Sequence, residues 1–493
     1  MESFEFELVV VGAGTAGMAA AIEAADRGIS VLLVEKSGRV GGTLLLTDAG
    51  MSAANSKRQI SQGIEDSIEA HYRDVMRIGK YRSSSELVRL AVENAAASID
   101  WLEDLGAEPR PLKADGVWGK GKMVGGVLHE PYSASRLHFW DEGGPAVAKA
   151  MEGALSRAIG RDDVTLLLGA RLRGFIQDER GRVTGVEIED AAGEHSRVSA
   201  TAVVMATGGY GANHDLIAEL HPDCVPVVSL SAEHATGEGI VLARAIGAEI
   251  VNTDTFVSYP GMLEDPLTPG VPAASQLFRP ASDSAAIWVN ARGERFMNED
   301  EESTDVREHA LIEQPGCAWW VVWDARIARE RPPEINPWEE QDWQRELDRG
   351  VMVKRASSLE ALAELWTIDP KGLLETVARF NAGAASGHDE FGRSDVLPML
   401  EPPFYAFRTL GNVLSTRAGV KVNATLNAVH VNGRAIDGLY VVGEALGNGQ
   451  LMGDGVSSGM NIGPAITFGR LAARNAAADV HRRRAGHGQA ARP

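Results

Sequence analysis

Blocks of apolar and polar residues along the first 35 positions predict a strand, a helix and a second strand. A β-branched apolar run, Leu8 to Val11, precedes a glycine-rich turn and a helix of small residues, and a second apolar run spans Val31 to Val34. From Leu172 to Gly209, apolar and polar residues alternate around turns at DERGR and DAAGE, a pattern typical of hairpins. We therefore expect hairpins that return the chain to an α/β sheet.

The turn after the first strand carries the spacing Gly12-x-Gly14-x-x-Gly17, and Glu35 closes the second strand. The motif follows a strand, opens a helix and has its acidic residue eighteen positions after the third glycine, which is the context that dinucleotide binding requires. The first two glycines let the backbone approach a pyrophosphate, Gly17 lets helix pack on strand, and Glu35 accepts from a ribose hydroxyl. These residues predict a bound dinucleotide.

Further glycine-rich turns follow the second strand and two later apolar runs, which indicates one long ligand lying across the sheet. FAD fits this layout better than NAD. The residues predicted to bind it are Gly12, Gly14, Ala16, Gly17, Glu35, Lys36, Gly41, Gly42, Thr43, Ala49, Gly50, Thr207, Gly208, Gly209, Gly443, Glu444, Gly459, Asn461 and Ile462.

The stretch GDGVSSGMNIGPAITFGRLAA, beginning at Gly453, has one charged residue before its apolar helix begins. A helix that starts near Asn461-Ile462-Gly463 offers unpaired N–H groups and its positive dipole end. Pro464 suits the first turn because it has no N–H to satisfy. We expect this helix start to face the N1 and C2 oxygen of reduced flavin, where negative charge collects.

Composition narrows the class of protein. The chain has 493 residues, of which 44% are apolar, without the long apolar run of a transmembrane helix, and its net charge of −20 argues against nucleic acid and anionic membranes as partners. Two cysteines and an acidic N-terminus suggest a reducing, cytoplasmic location. The histidines lack metal-ligand spacing, so no metal site is expected. The basic tail HRRRAG is expected to be solvated and disordered.

In their order along the chain, these motifs resemble the FAD flavoproteins that include soluble fumarate reductases, succinate dehydrogenases and ketosteroid dehydrogenases. The resemblance also rests on ATGG at 206–209, ATGEG at 235–239, VNARGERFMNE at 289–299 and GLYVVGEA with IGPAITFGRLAA. It implies an α/β fold: a Rossmann-like, glutathione-reductase-like FAD domain from residues 1–254 and 412–493, with an inserted α+β capping domain at 255–411. Non-covalent FAD is implied, because Leu44 stands near the position where related succinate dehydrogenases attach the flavin to a histidine.

The residues that clamp a dicarboxylate in fumarate reductases are mostly replaced. Tyr259 stands in FVSYPG where the first histidine is expected, and Ser415-Thr416 stand where a His-Thr pair is expected. Arg307 lies several residues later than the arginine of the family pattern, and the late arginine is absent. A fumarate specialist is therefore not expected, since unpaired carboxylates are costly to enclose.

The end motif is closer to that of ketosteroid dehydrogenases, although the tyrosine of their glycine-rich turn is missing. The resemblance points to a small-molecule carbonyl substrate, most simply a cyclic ketone or an enone. The candidate catalytic residues are Tyr259, Arg307, Tyr132 and Arg417. Arg307 is equally compatible with a surface ion-pair helix and Tyr132 with a structural loop.

Three functional hypotheses follow. The first is an FAD enzyme that introduces or reduces a C=C bond conjugated to a carbonyl. The second is a reductase of an unsaturated acid in which Arg307 and Arg417 hold one carboxylate. The third is a flavin-binding redox partner without its own substrate. The sequence does not identify the electron donor or acceptor.

Overall fold

The computed structural model describes residues 3–112, 132–222, 227–269, 272–275, 285–301, 303–335, 338–394 and 396–490, and for residues 3, 259, 260, 272, 274, 275, 304 and 486–490 it describes the backbone alone. The strands are β1 (Ser3–Val11), β2 (Val31–Glu35), β3 (Met51–Ser52), β4 (Leu137–His138), β5 (Val164–Leu168), β6 (Arg171–Gln177), β7 (Val183–Glu189), β8 (His195–Met205), β9 (Val228–Ser229), β10 (Ile250–Val251), β11 (Tyr259–Glu264), β12 (Pro272–Ser275), β13 (Ile287–Val289), β14 (Ala318–Asp324), β15 (Val353–Ala356), β16 (Phe404–Val413), β17 (Gly419–Val420), β18 (Asn427–Val429) and β19 (Ala435–Val441).

The helices are α1 (Thr15–Ala25), α2 (Lys57–Ser61), α3 (Ile68–Ile78), α4 (Ser85–Asp104), α5 (Gly143–Gly160), α6 (His214–Leu220), α7 (Glu238–Ala245), α8 (Thr304–Ile312), α9 (Ala325–Glu330), α10 (Glu340–Arg349), α11 (Leu359–Trp366), α12 (Pro370–Ser386), α13 (Gly449–Met452) and α14 (Ile462–Ala490).

The larger sheet has the strand order β18-β19-β8-β1-β2-β5 and includes β6 and β7 beside β8. Strands β19, β8, β1, β2 and β5 run parallel, so their carboxyl ends meet along one edge. The chain leaves β1 for β2 on one side, while β8 pairs with β1 on the other. Ligands of open α/β sheets bind at such a switch point, which places the expected site beside the end of β1.

A second sheet has the order β12-β11-β16-β14-β13, and β9 and β15 also pair with β16. Its ladders are antiparallel except for the short pairing of β16 with β9. Helices α8 to α12 alternate with its strands, and a separate hydrophobic cluster rich in tryptophan fills its core. The parallel and antiparallel sheets together confirm the predicted α/β class, with an α+β part inserted in the chain.

Helix α1 packs closely against the preceding turn because its residues are small. Gly14 precedes α1 without a side-chain cap, and nearly the whole helix is buried. A Cβ at Gly17 would overlap the Gly12 carbonyl, so the closeness of helix and turn requires a glycine there. A Cβ at Gly469, on α14, would likewise overlap the Ala16 carbonyl. The first and last helices thus join the two ends of the chain in one core.

Two expectations about chain segments fare differently. The basic tail is helical, because α14 continues to Ala490 and Arg484 pairs with Glu7 at 2.5 Å; the expected disorder was wrong. The bounds 255–411 of the capping domain stay a prediction: the second sheet also takes in β9, which lies well before residue 255, and the last two residues of β16. No described helix has the length and apolar character needed to cross a membrane.

Acid should destabilise the fold through a buried histidine. His138 Nδ1 lies 2.8 Å from the Arg136 carbonyl and Nε2 lies 2.7 Å from Ser56 Oγ, an arrangement that suits a neutral ring. Burial lowers the pKa of His138 to about 4. The unfolded chain therefore binds the extra proton first, and stability is lost as pH falls from about 6.5 through 4. Between about pH 7 and 5 we expect His138 to lower the free energy of unfolding by about 2 kcal/mol.

Urea unfolding at the two pH values measures this loss of stability, and the His138→Gln variant should show a correspondingly smaller loss. An equal loss in both proteins would contradict the assignment.

Candidate active site

A cavity of about 1000 Å³ lies along the carboxyl edge of β1, β2 and β8, where the Gly443 turn after β19 and the start of α14 also meet. Its size is at the upper end of the range for small-molecule sites, as a long cofactor requires. Thirteen of the residues predicted to bind FAD line it: Gly12, Gly14, Ala16, Glu35, Lys36, Gly42, Thr43, Thr207, Gly208, Gly443, Glu444, Asn461 and Ile462.

The other six predicted residues shape the turns around the cavity instead of lining it. Gly17 holds α1 against the first turn, and the Gly41 N–H donates to the Ala13 carbonyl at 2.9 Å. A Cβ at Gly209 would overlap side chains of Thr416 and Glu444. Close packing therefore explains why Gly17 and Gly209 are glycines in this structure.

The last three of these six lie around β3. Ala49 is buried with a positive φ of 48°, and a Cβ at Gly50 would lie 2.9 Å from the Phe139 ring. A Cβ at Gly459 would overlap the backbone of Ser52. Close packing of the final glycine-rich turn on β3 thus fixes the position of that turn.

Two glycines leave open space at the end of the cavity where we expect the phosphates of FAD. A Cβ placed at Gly14 or at Gly208 would meet no atom within 4 Å. Both glycines line the cavity, so they leave open space beside the start of α1. Exposed N–H groups and the helix dipole favour a pyrophosphate at such a place.

At the ribose end, Glu35 joins the first two turns. Its carboxylate oxygens accept from the Ala13 and Ser37 N–H groups, both at 2.8 Å. Lys36 donates to Thr236 at 2.7 Å and to Glu238 at 3.0 Å, and so connects β2 to the start of α7. Glu35 has further lone pairs that could accept from a ribose hydroxyl, and the contacts of Lys36 stabilise the cavity wall.

The far end of the cavity is lined by Thr43, Ser415, Glu444 and the start of α14, as expected for the flavin ring. Burial raises the pKa of Glu444, whose carboxylate accepts from the Thr416 N–H at 2.6 Å and hydroxyl at 2.8 Å. The Thr207 hydroxyl is buried beside the cavity without a hydrogen-bond partner. An unsatisfied buried hydroxyl and a glycine-lined cleft are what the polar and phosphate groups of FAD would complete.

Tyr132, Arg307 and Arg417 lie outside the lining of this cavity. Tyr132 is buried, and its hydroxyl donates to the Ser458 carbonyl at 2.5 Å. Burial raises the pKa of Tyr132, so it is a poor base at neutral pH. The backbone of Tyr259 lies in β11 opposite Asn412, and its side chain is outside the described part of the structure.

The two predicted arginines are both buried, and Arg307 is therefore not part of a surface ion-pair helix. Arg307 lies in α8 and is 1% exposed; Arg417 follows β16 and is 2% exposed. Arg417 Nη2 donates to the Gly455 carbonyl at 2.6 Å. The turn that has no arginine of its own thus receives a guanidinium from a different segment.

Glu308 is a buried acid whose enclosure the sequence reasoning missed. It was grouped with acidic neighbours of a surface helix, yet it is 1% exposed and both of its carboxyl oxygens lack a hydrogen-bond partner. Burial raises the pKa of Glu308 to about 8, and the charge of Arg417 opposes that rise. Nothing in the local pattern of α8 distinguishes it, since only the packing of α8 decides which polar residues are enclosed.

Arg136, close to Tyr132 in sequence, has a structural role. It pairs with Asp66 and Asp74 at 2.7 Å each and is fully buried. Within the described ranges, no three His, Cys, Asp or Glu side chains are grouped so as to hold a metal ion. The expectation of no metal site stays a prediction.

Comparison with known proteins places this geometry in a family. The model of the family described as FAD binding domain matches residues 7–459. Over 473 residues the chain is 30% identical to a fumarate reductase (cytochrome) of Shewanella frigidimarina, a match that covers 96% of this chain and 77% of the relative. It is 29% identical over 456 residues to the vinyl phenol reductase of Lactiplantibacillus plantarum, with 88% of each chain covered.

A solved structure, 3-ketosteroid delta1-dehydrogenase from Sterolibacterium denitrificans, has a TM-score of 0.73 and 21% identity, with 96% of this chain and 99% of that chain covered. At this identity the likeness shows the shared fold. The resemblance to both flavoprotein groups, inferred from motifs, is confirmed, and so is the FAD cofactor. The chain belongs to the FAD binding domain family and is an FAD-dependent oxidoreductase acting on CH–CH bonds.

Proposed function

We propose that this enzyme reduces or introduces the C=C bond next to the carbonyl of a small cyclic ketone or enone. The observation that carries the proposal is the buried guanidinium of Arg417, which donates to the Gly455 carbonyl at 2.6 Å in the final glycine-rich turn. A site for two carboxylates would need several cationic side chains. A single guanidinium can stabilise the negative charge that develops on one carbonyl oxygen during the reaction.

Bound FAD supplies the hydride donor or acceptor. The chain's own residues orient the substrate, stabilise charge at its carbonyl oxygen and exclude water. Arg417 is the proposed oxygen-binding group, supported by Ser457, whose buried hydroxyl lacks a hydrogen-bond partner in the same glycine-rich turn. Among the other proposed catalytic residues, Arg307 supports this charge from α8, and Tyr132 holds the glycine-rich turn through the Ser458 carbonyl.

Anaerobic stopped-flow spectroscopy tests the proposal. Enzyme reduced with dithionite should be reoxidised by cyclohex-2-enone or a larger cyclic enone, and the oxidised enzyme should be bleached by the matching saturated ketone if the reaction runs in that direction. The flavin absorbance band reports both changes. If no cyclic ketone or enone changes the flavin redox state, the proposal is wrong.

An unsaturated carboxylic acid is the second candidate, favoured by the burial of both Arg307 and Arg417 and by the relationship to a fumarate reductase. The vinyl phenol reductase relative, in contrast, is named for a substrate without a carboxylate. In the same experiment, reoxidation by a monounsaturated acid but by no enone would select this second candidate. The non-catalytic hypothesis is not carried further, because the chain is an enzyme.

A further inference from the structure

We propose that Lys36 holds the segment 230–238 over the adenosine end of FAD and thereby slows release of the cofactor. This segment, which we call the strap, runs from the end of β9 to the first residue of α7. Lys36 is then a positioning residue, because it acts on the cofactor through the strap. The inference concerns retention of FAD, so it goes beyond the proposed function and does not depend on the substrate.

The strap forms one wall of the large cavity. Seven of its nine residues line the cavity, among them Ala235 and Glu238. Ala170 and Leu172 line it as well, and the Ala170 N–H donates to the Glu35 carbonyl at 3.0 Å. Because Glu35 is the residue expected to bind the ribose, this apolar pair marks the adenosine end of the cavity.

Lys36 joins the strap to the adenosine end. It directly follows Glu35 at the end of β2, and its Nζ donates to the Thr236 hydroxyl at 2.7 Å and to the Glu238 carboxylate at 3.0 Å. Only 16% of the Lys36 side chain is exposed, so solvent weakens these contacts less than those of a surface ion pair. Arg171, on β6, donates to the other oxygen of Glu238 at 3.2 Å. The strap is thus fixed to β2 and β6.

Backbone hydrogen bonds anchor the strap independently of Lys36. At its start, the Leu230 N–H donates to the Val413 carbonyl at 3.0 Å. Near its end, the Gly237 N–H donates to the Gly209 carbonyl at 3.1 Å. Replacing Lys36 should therefore loosen the strap without unfolding the chain.

The contacts of Lys36 oppose the movement that release of FAD requires. Residues 230–237 are all described and belong to no helix or strand, so the strap can move where the neighbouring strands cannot. Opening it breaks two hydrogen bonds, one of them to a carboxylate, and leaves a mostly buried ammonium group without these partners. Losing both contacts is expected to change the release rate by about tenfold.

Release of FAD from the loaded enzyme tests the proposal, with the rise of free-flavin fluorescence after dilution as the measurement. Lys36→Met should release FAD about tenfold faster than the wild type, with an unchanged far-UV circular dichroism spectrum. Lys421→Met is the matched control, because Lys421 pairs with Glu249 at 2.9 Å and lies outside the cavity lining. It should release FAD at the wild-type rate.

Glu238→Gln distinguishes a contact through the strap from direct contact between Lys36 and the cofactor. Loss of the carboxylate should also speed release. The double variant should release FAD no faster than Lys36→Met, since both changes remove the same contact. If Lys36 instead bound the phosphates of FAD, Glu238→Gln would make Lys36 more available to the cofactor and would not speed release.

Hydrogen–deuterium exchange of the loaded enzyme locates the effect. In Lys36→Met, exchange should rise in the strap, whereas β1 and β8 should exchange as in the wild type. Wild-type release or wild-type strap exchange in Lys36→Met would overturn the proposal. So would equal acceleration in Lys421→Met, unaccelerated release from Glu238→Gln, or effects that multiply in the double variant. Failure of enones to reoxidise the flavin would reject the proposed function but would leave these results unchanged.

Discussion

Replacing Gly14 with valine should reduce the FAD content of the purified protein to less than about a tenth of the wild-type value while the chain stays folded. The backbone at Gly14 has φ −76° and ψ −165°, which other residues adopt without strain. Its Cβ would meet no protein atom within 4 Å, so the new side chain would project into the cavity beside the start of α1. The valine would occupy the space left for the pyrophosphate.

Flavin absorbance of the purified protein and titration of the apoprotein with FAD measure this effect, and far-UV circular dichroism checks the fold. Gly160→Val is the matched control. Gly160 ends α5, a Cβ there also meets open space, and the residue is remote from the cavity lining. Wild-type FAD affinity in Gly14→Val, or an equal loss in both variants, would contradict the position assigned to the phosphates.

Replacing Arg417 with alanine should lower kcat/KM for the physiological class of substrate by about 10²- to 10³-fold, the cost typical of removing one group that stabilises a developing oxyanion. The guanidinium is buried and contacts the Gly455 carbonyl at 2.6 Å. Its loss would also remove the strongest positive charge near Glu308. FAD content should not change, since Arg417 is not part of the cavity lining.

Single-turnover reoxidation of the reduced flavin, with an enone and with an unsaturated acid, measures the loss for both candidate substrates. Arg82→Ala is the control: Arg82 approaches the same turn, at 3.9 Å from Asp454, but its side chain is 44% exposed. It should retain most of the wild-type rate. A rate for Arg417→Ala within a few-fold of the wild-type rate would exclude this arginine from the reaction.

The residues around the large cavity could be predicted from the sequence because their determinants are local. A glycine spacing after a strand fixes how close a backbone can approach a phosphate, whatever the rest of the chain does. The start of the last helix was also predicted correctly from local sequence. Helix α14 begins at Ile462, and Pro464 stands in its first turn, where a proline is tolerated. Gly209 and Gly459 are glycines because a larger residue would overlap neighbouring protein atoms. A sequence motif does not distinguish such a packing glycine from one that contacts a ligand.

The substrate side was only partly predictable, as Arg307 and Arg417 illustrate. Arg307 was marked as the nearest candidate for an arginine of the family pattern and Arg417 by its positive charge in LSTRAG, but acidic neighbours made a solvent-exposed helix equally reasonable for Arg307. Both are enclosed because α8 packs on the FAD-binding part of the chain. The approach of Arg417 to Gly455 joins segments 38 residues apart, and no local pattern encodes it.

The sequence by itself determined the cofactor and the fold class, because glycine spacing and strand periodicity are local properties of the chain. The tertiary structure alone decided that Glu308 is enclosed and that the Arg417 guanidinium reaches the final glycine-rich turn. It also decided which glycines face the cavity. Burial and long-range electrostatics depend on which elements pack together. The enclosure of Glu308 and Arg417 is therefore a property of the folded molecule.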